Sequence, residues 1–188
     1  MAEIGMRRAP SIQSTDWLRL LPAAGRWVLH GDASVRALAA PVFGVAPSET
    51  ACRATVAGTR AALWLGPDEQ LLLELAPGER SDESQAALAS ALEEALAGSR
   101  HALVDVSHRQ FALELSGEHA ATILAAGCPL DLDPLEFPVG MCTRTLFAKA
   151  DIVLWRVRAD AFHLEVWRSF AGYVSTLLAE IAREYHPL

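Results

Sequence analysis

The stretch HALVDVSHRQFALELSG, residues 101–117, decides how this chain folds. HALVDVS is a short apolar run, and QFALELS alternates apolar and polar residues. Side chains of a strand point alternately to its two faces, so Phe111, Leu113 and Leu115 share one face. The stretch therefore predicts two consecutive strands joined at a polar junction, with Gly117 after the second strand.

Asp105, Ser107 and His108 stand almost side by side at this junction, and Asp, Ser and His are the residue types of a hydrolase triad. A triad needs the serine Oγ within hydrogen-bond reach of a histidine, with a carboxylate behind that histidine. On a strand Ser107 and His108 point to opposite faces, and the chain has no G-x-S-x-G elbow. We therefore expect Asp105 and Ser107 to bind backbone groups where one strand leads into the next.

The residues before this stretch alternate between strand and helix patterns. Strands are predicted near 26–31, 51–57, 59–65 and 69–75, separated by turn residues. Asp32 can cap a helix that ends at Gly44, and a second helix begins at Ser81 or Asp82 and ends at Gly98. Their apolar stripes are Val35, Leu38, Ala39, Val42 and Phe43 in the first, and Leu88, Leu92 and Leu96 in the second.

The residues after residue 117 again alternate between strand and helix patterns. A short helix over 118–126 precedes a loop, GCPLDLDPLEFPVG (127–140), and strands over 144–158, which we expect to break in two, and 161–167. A helix from Ser169 carries an apolar stripe that predicts a core-facing element. The stripe comprises Phe170, Tyr173, Val174, Leu177, Leu178, Ile181 and Tyr185.

The fold class predicted by this pattern is α+β, with antiparallel sheets and helices on one face. We expect an N-terminal arm over 1–24, a first lobe over 25–100 and a second, similar lobe over 101–188. The two lobes should form one compact unit.

Composition excludes several function classes. The net charge is −7 and the pI is near 5.3, so the chain has no general affinity for nucleic acid or anionic lipid. No stretch of about 18 apolar residues occurs, and the N-terminus lacks the apolar core of a secretory signal. Three widely spaced cysteines, Cys52, Cys128 and Cys142, predict reduced thiols in the cytoplasm.

Motifs for cofactors and metals are also missing from the sequence. There is no P-loop and no G-x-G-x-x-G after a strand, which argues against a nucleotide site. The histidines and cysteines lack metal-ligand spacing. The acidic residues of LDLDPLE, namely Asp131, Asp133 and Glu136, lack the EF-hand spacing, so we expect a solvated loop with capping aspartates.

Two tryptophans lie on neighbouring predicted strands, Trp155 and Trp167, close to Arg168. Buried or half-buried Trp and Arg are frequent anchors of protein interfaces, although core packing is the default interpretation of each. We predict a partner interface around Trp155, Trp167, Arg168 and Phe170.

The segments HALVDVSHRQFALELSG, GCPLDLDPLEFPVG, RTLFAKADIVLWRV and FHLEVWRSFAGYV resemble the gamma subunit of heterotetrameric sarcosine oxidase. The resemblance covers about residues 60–185 and is strongest after residue 100. That family is itself similar to the folate-binding domain of the glycine-cleavage aminomethyltransferase, in which a D-V-S-H segment also leads into a strand. The resemblance thus implies an aminomethyltransferase-like fold.

The resemblance carries the catalytic hairpin of the aminomethyltransferases only in part. Those enzymes have a glycine pair and an acidic pair there, and the matching hairpin reads TLFAKADIVL. Asp151 is the single acidic match, and Lys149 and Ala150 stand near the positions of the glycines. We therefore expect no catalytic residue, cofactor site or metal site in this chain.

The resemblance further implies alpha, beta and delta partner subunits, with FAD, FMN, NAD and tetrahydrofolate bound by the partners. The complex would oxidise sarcosine to glycine, and this chain would pack on the alpha subunit as a non-catalytic subunit. The alternative is a free-standing folate-binding enzyme that uses Asp151 as its acid/base group. Self-association of the isolated chain through an exposed partner surface also stays open.

Overall fold

The computed structural model describes residue 12 and residues 14–75 and 82–185, which form two five-stranded antiparallel sheets and four helices. The elements in chain order are β1 (Leu18–Leu20), β2 (Gly25–His30), α1 (Ala33–Phe43), β3 (Ala54–Ala57), β4 (Arg60–Gly66), β5 (Glu69–Glu74), α2 (Asp82–Leu96), β6 (Ala102–Asp105), β7 (Gln110–Ser116), α3 (Ala120–Ala125), β8 (Cys142–Phe147), β9 (Ala150–Arg158), β10 (Ala161–Trp167) and α4 (Arg168–Ala182). The α+β class is confirmed.

The first sheet has the strand order β3-β4-β5-β2-β6, and α1 and α2 cover one of its faces. The predicted cap of α1 is present, because the Asp32 carboxylate accepts hydrogen bonds from the N–H groups of Ser34 and Val35. Gly44 closes the helix with a φ of 78°, a left-handed conformation that glycine adopts without steric cost. Leu38 is the exception in the predicted stripe, with 44% of its surface exposed.

The second sheet has the strand order β1-β7-β10-β9-β8, and α3 and α4 cover its outer face. The predicted shared face of β7 is confirmed, since Leu113 and Leu115 are buried under these helices and Phe111 packs against the same core. The stripe of α4 is largely correct, with Val174 and Leu178 fully buried. Tyr173 is wrong, because 40% of it is exposed.

The uncovered faces of the two sheets pack against each other. Leu63, Leu71 and Leu73 of the first sheet meet Val153 and Trp155 of the second in a common core. The molecule is thus layered as helix, sheet, sheet, helix. Where β3 and β8 begin, Ala54 N–H donates to the Gly140 carbonyl and Cys142 N–H donates to the Cys52 carbonyl, which joins the sheet edges.

Each sheet contains a strand from the other part of the sequence, which corrects the predicted domain limits. Residues 1–24 were expected to be an arm, but β1 pairs with β7 of the second sheet. The rest of that predicted arm includes residues 1–11 and 13, which lie outside the described residues. The boundary near residue 100 is crossed as well, because β6 pairs with β2 of the first sheet. No helix in the described part of the chain is both long and apolar enough to cross a membrane.

Candidate functional site

The junction between β6 and β7 has the structural role that its residues predict. The Asp105 carboxylate accepts a hydrogen bond of 2.8 Å from the Ser107 N–H. The Ser107 Oγ accepts one of 2.9 Å from the Arg26 N–H and donates one of 3.4 Å to the Arg26 carbonyl. The serine is therefore engaged by the β2 backbone rather than by His108, and the three residues form no triad.

A buried ionic network connects the two sheets directly beside this junction. Arg26 on β2 contacts Glu165 on β10, with 2.6 Å between Nε and Oε2, and His163 Nε2 lies 2.8 Å from Glu165 Oε1. All three side chains are at most 3% exposed. Burial alone raises the pKa of Glu165, but the charge of Arg26 and the hydrogen bond to His163 outweigh it, so the pKa is lowered. Glu165 is therefore a carboxylate fixed between the sheets.

A cleft of about 480 Å³ lies between the two sheets where the shared core ends. Val28, Leu71, Val104 and Val106 line its first-sheet wall, and Asp151, Val153, Glu165 and Trp167 line part of the opposite wall. Asp151 faces this cleft from β9, the one position at which the resemblance suggested acid/base chemistry. Asp151 is exposed to solvent at this position.

The other charged groups of the cleft are held by partners. Arg144 on β8 donates to both carboxylate oxygens of Glu69 on β5, at 2.5 and 3.2 Å, which ties the two sheets together across the cleft. That hydrogen bonding is the main cause of the lowered pKa of Glu69. The Arg109 guanidinium lies 4.1 Å from the centre of the Trp167 ring, a cation–π contact at the cleft wall.

The hairpin between β8 and β9 departs structurally from a glycine hairpin. Phe147 pairs with Ala150, so Ala148 and Lys149 form the turn. Ala148 has a φ of 51°, in the left-handed region that favours glycine, and Ala150 is fully buried. Side chains thus occupy this turn at the positions where close backbone approach would need glycine.

The four residues of the predicted partner interface lie in different environments. Trp155 is 6% exposed and belongs to the core between the sheets, so the structure removes it from the interface prediction. Trp167 is 38% exposed at the cleft. Arg168 begins α4, donates from Nε to the His108 carbonyl at 3.0 Å and lies over the Phe111 ring. Phe170 is half-buried against the second core.

The sequence missed Arg26, His163 and Glu165 as a functional unit. In β2 and β10 the alternation places each of them on the face between the sheets, but charged residues are ordinarily assigned to the solvent face. The signal for these buried charges would have been a strand that is buried on both faces, as AFHLEVW is. Only the packing of two sheets shows that both faces are buried.

Within the cleft, Glu165 and Glu69 are engaged by other side chains of the chain, and Trp167 is partly exposed. Residues 30–184 match the sarcosine oxidase gamma subunit family. The chain belongs to this family. The sarcosine oxidase subunit gamma of Corynebacterium sp. (strain U-96) is 30% identical over 185 residues, which are 98% of this chain and 84% of that protein.

Two solved structures agree with the fold, and the first of them also agrees with the family membership. A chain of the heterotetrameric sarcosine oxidase from Corynebacterium sp. U-96, in complex with pyrrole 2-carboxylate, superposes with a TM-score of 0.80 at 28% identity. The match covers 89% of this gamma-family chain and 84% of the solved chain. The glycine cleavage system aminomethyltransferase T from Bartonella henselae superposes with a TM-score of 0.64 at 16% identity, over 88% of this chain and 46% of that one, which supports the fold alone.

Proposed function

We propose that this chain is a non-catalytic gamma subunit of a heterotetrameric sarcosine oxidase, in which it packs on the alpha subunit. The observation that carries the proposal is the family match over residues 30–184. The complex would oxidatively demethylate sarcosine to glycine with tetrahydrofolate and oxygen. The alpha, beta and delta subunits would carry FAD, FMN, NAD and tetrahydrofolate, and this chain would supply contact surface.

The geometry of the cleft supports a subunit without its own active site. Glu165 is engaged by Arg26 and His163, and Glu69 is engaged by Arg144. In addition, the hairpin TLFAKADIVL around Asp151 lacks the glycines and the second acidic residue of the aminomethyltransferase hairpin. The free-standing folate enzyme is accordingly the less favoured function.

The cytoplasm is the compartment that we propose for the complex. Cys52, Cys128 and Cys142 are all free thiols in the structure, which agrees with a reducing environment.

The test is co-expression of this chain with the alpha, beta and delta chains, followed by size-exclusion chromatography with flavin absorbance. We expect the chain to co-elute with the yellow protein, and omission of the chain to lower the yield of the complex. Full assembly of the flavoprotein without this chain, which then elutes alone, would refute the proposal. Tetrahydrofolate should produce no saturable signal when titrated into the isolated chain.

A further inference from the structure

The loop over 127–140 presents one large apolar side chain to the solvent. Leu135 is 89% exposed, more than any other large apolar residue of the described chain. A single exposed leucine is unremarkable in a mobile loop. This loop, however, is fixed to the protein by buried groups on both sides of Leu135.

Arg156 on β9 is the main anchor. Its guanidinium is buried and donates to the carbonyls of Leu132 at 3.1 Å and Phe137 at 2.8 Å. The same group donates to the Ala159 carbonyl at 2.7 and 3.2 Å and lies over the Phe162 ring. A buried guanidinium is costly unless its donors are satisfied, and here main-chain oxygens of the loop and of Ala159 satisfy them.

Further contacts fix the tip of the loop. Leu132 and Phe137, on either side of Leu135, are 5% and 1% exposed and pack into the second core. The Asp133 carboxylate accepts a hydrogen bond of 2.8 Å from the Leu135 N–H itself. An ordered loop that holds an apolar side chain in solvent loses little conformational entropy when that side chain binds.

The surroundings of Leu135 carry negative charge. Asp131, Asp133 and Glu136 are exposed, and no salt bridge with another described residue neutralises them. A partner surface that accepts Leu135 must therefore be apolar at its centre and basic at its rim, because an acidic rim would be repelled.

We propose that Leu135 is a docking knob that inserts into an apolar socket with a Lys/Arg rim on a partner subunit. This inference rests on the proposed function, since it assigns a second contact of the same assembly, separate from Trp167. The neighbouring acidic side chains orient the knob and contribute most at low ionic strength.

Competition for incorporation tests the knob. Wild-type chain and a mass-distinguishable Leu135→Ala chain are co-expressed at equal levels with limiting alpha, beta and delta chains, and native mass spectrometry gives their ratio in the complex. We expect at least tenfold depletion of the variant, the effect of truncating an interface hot spot. Leu38→Ala is the matched control, because Leu38 is also exposed and lies on α1.

The charge of the partner rim is tested separately. Glu136→Lys should also be depleted, and high salt during reassembly of purified subunits should reduce the difference. Glu94→Lys, at a glutamate on α2 that is also exposed, controls for the change in net charge. Circular dichroism of each isolated variant should match the wild-type spectrum.

The outcomes separate the two proposals. If no form of the chain enters the complex, the proposed function fails. Equal incorporation of Leu135→Ala and Leu38→Ala chains overturns the knob alone. Enrichment of Glu136→Lys overturns the basic rim. If Leu135→Ala changes only self-association of the isolated chain, the knob binds a second copy and the proposed partner is wrong.

Discussion

At the scale of single residues, the buried carboxylate of Glu165 is the most consequential group. Its partner Arg26 lies on the other sheet, so the ion pair fixes the position of one sheet relative to the other. Ion pairs of this kind add little compared with an apolar replacement of both partners, but the loss of one partner leaves an uncompensated buried charge. We therefore expect that removal of either Arg26 or Glu165 alone strongly destabilises the folded chain.

We predict that Arg26→Met lowers the free energy of unfolding at pH 7 by about 3–5 kcal/mol. The loss should be smaller near pH 4, where the unpaired Glu165 can protonate instead of remaining a buried anion. Urea unfolding at both pH values measures the difference. An equal loss at pH 7 and pH 4 would show that packing of the arginine stem, and not charge, is what the substitution removes.

The pH dependence of the wild-type chain follows from the lowered pKa of Glu165. Its ordinary value is 4.5, so the stabilisation is fully present above that pH. It is lost as the pH falls from 4.5 through the lower pKa of the folded state. Glu69, with its lowered pKa, acts in the same direction. Glu165→Gln should therefore flatten the decline of unfolding free energy below pH 4.5, measured beside the wild-type chain.

At Cys142 burial is the dominant effect, so the net shift of its pKa is opposite to that of Glu165. Burial between the sheets raises the pKa of its thiol to about 12, so almost no thiolate exists at pH 8. We predict that iodoacetamide leaves Cys142 unlabelled in the native chain and labels it after unfolding in urea. Cys52, which is partly exposed, is the internal control and should label in the native state. Peptide mass spectrometry distinguishes the two, and rapid native labelling of Cys142 would contradict its burial.

At the scale of elements, the hairpin between β8 and β9 has a non-glycine residue in a left-handed conformation at its turn. Ala148 occupies a positive φ that an L-residue adopts at a cost, and glycine would relieve it. We predict that Ala148→Gly raises the free energy of unfolding by about 0.5–1 kcal/mol. Thermal denaturation should show the corresponding rise in Tm.

The hairpin prediction has a control in the next turn. Ala159 lies between β9 and β10 without a positive φ, so Ala159→Gly should slightly lower the Tm by adding freedom to the unfolded chain. A fall in Tm for both substitutions would mean that the turn at Ala148 is unstrained.

The exchanged strands are the second feature at this scale. β1 completes the sheet formed by residues 110–167, and β6 completes the sheet formed by residues 25–74. Neither half of the sequence can therefore form its whole sheet alone. This exchange joins the two halves of the sequence through strand pairing.

At the scale of the whole molecule, two tryptophans with similar sequence surroundings have different expected roles. One contributes to the stability of the fold and the other to assembly with partners. Trp155 lies in the core between the sheets, and Trp167 lies at the cleft under Arg109. We predict that Trp155→Ala lowers the free energy of unfolding by about 3–5 kcal/mol. Trp167→Ala should change it little and instead weaken binding to the partner subunits by about 2 kcal/mol or more.

Urea unfolding of the isolated chain and pull-down with the alpha subunit measure the two quantities independently. Unchanged pull-down of the Trp167→Ala chain would remove Trp167 from the interface, with no consequence for family membership. A stable Trp155→Ala chain would contradict the packing between the sheets.

The sequence by itself determined the fold class, the family and the elements other than β1, which lies in the segment predicted to be an arm. Alternation in QFALELS and AFHLEVW, the cap at Asp32 and the stripe of α4 are local patterns, and local sterics and hydrogen bonding fix them within a few residues. The role of Asp105 and Ser107 was predictable for the same reason, because strand geometry alone separates Ser107 from His108.

Only the tertiary structure decided which polar residues are buried and which tryptophan is exposed. Arg26 and Glu165 are far apart in the chain, and their contact exists because two sheets pack face to face. The alternation of a strand gives two faces but does not tell which face a second sheet will cover. The burial of Trp155 and the exposure of Trp167 and Leu135 also depend on long-range packing. The sequence pattern therefore did not predict them.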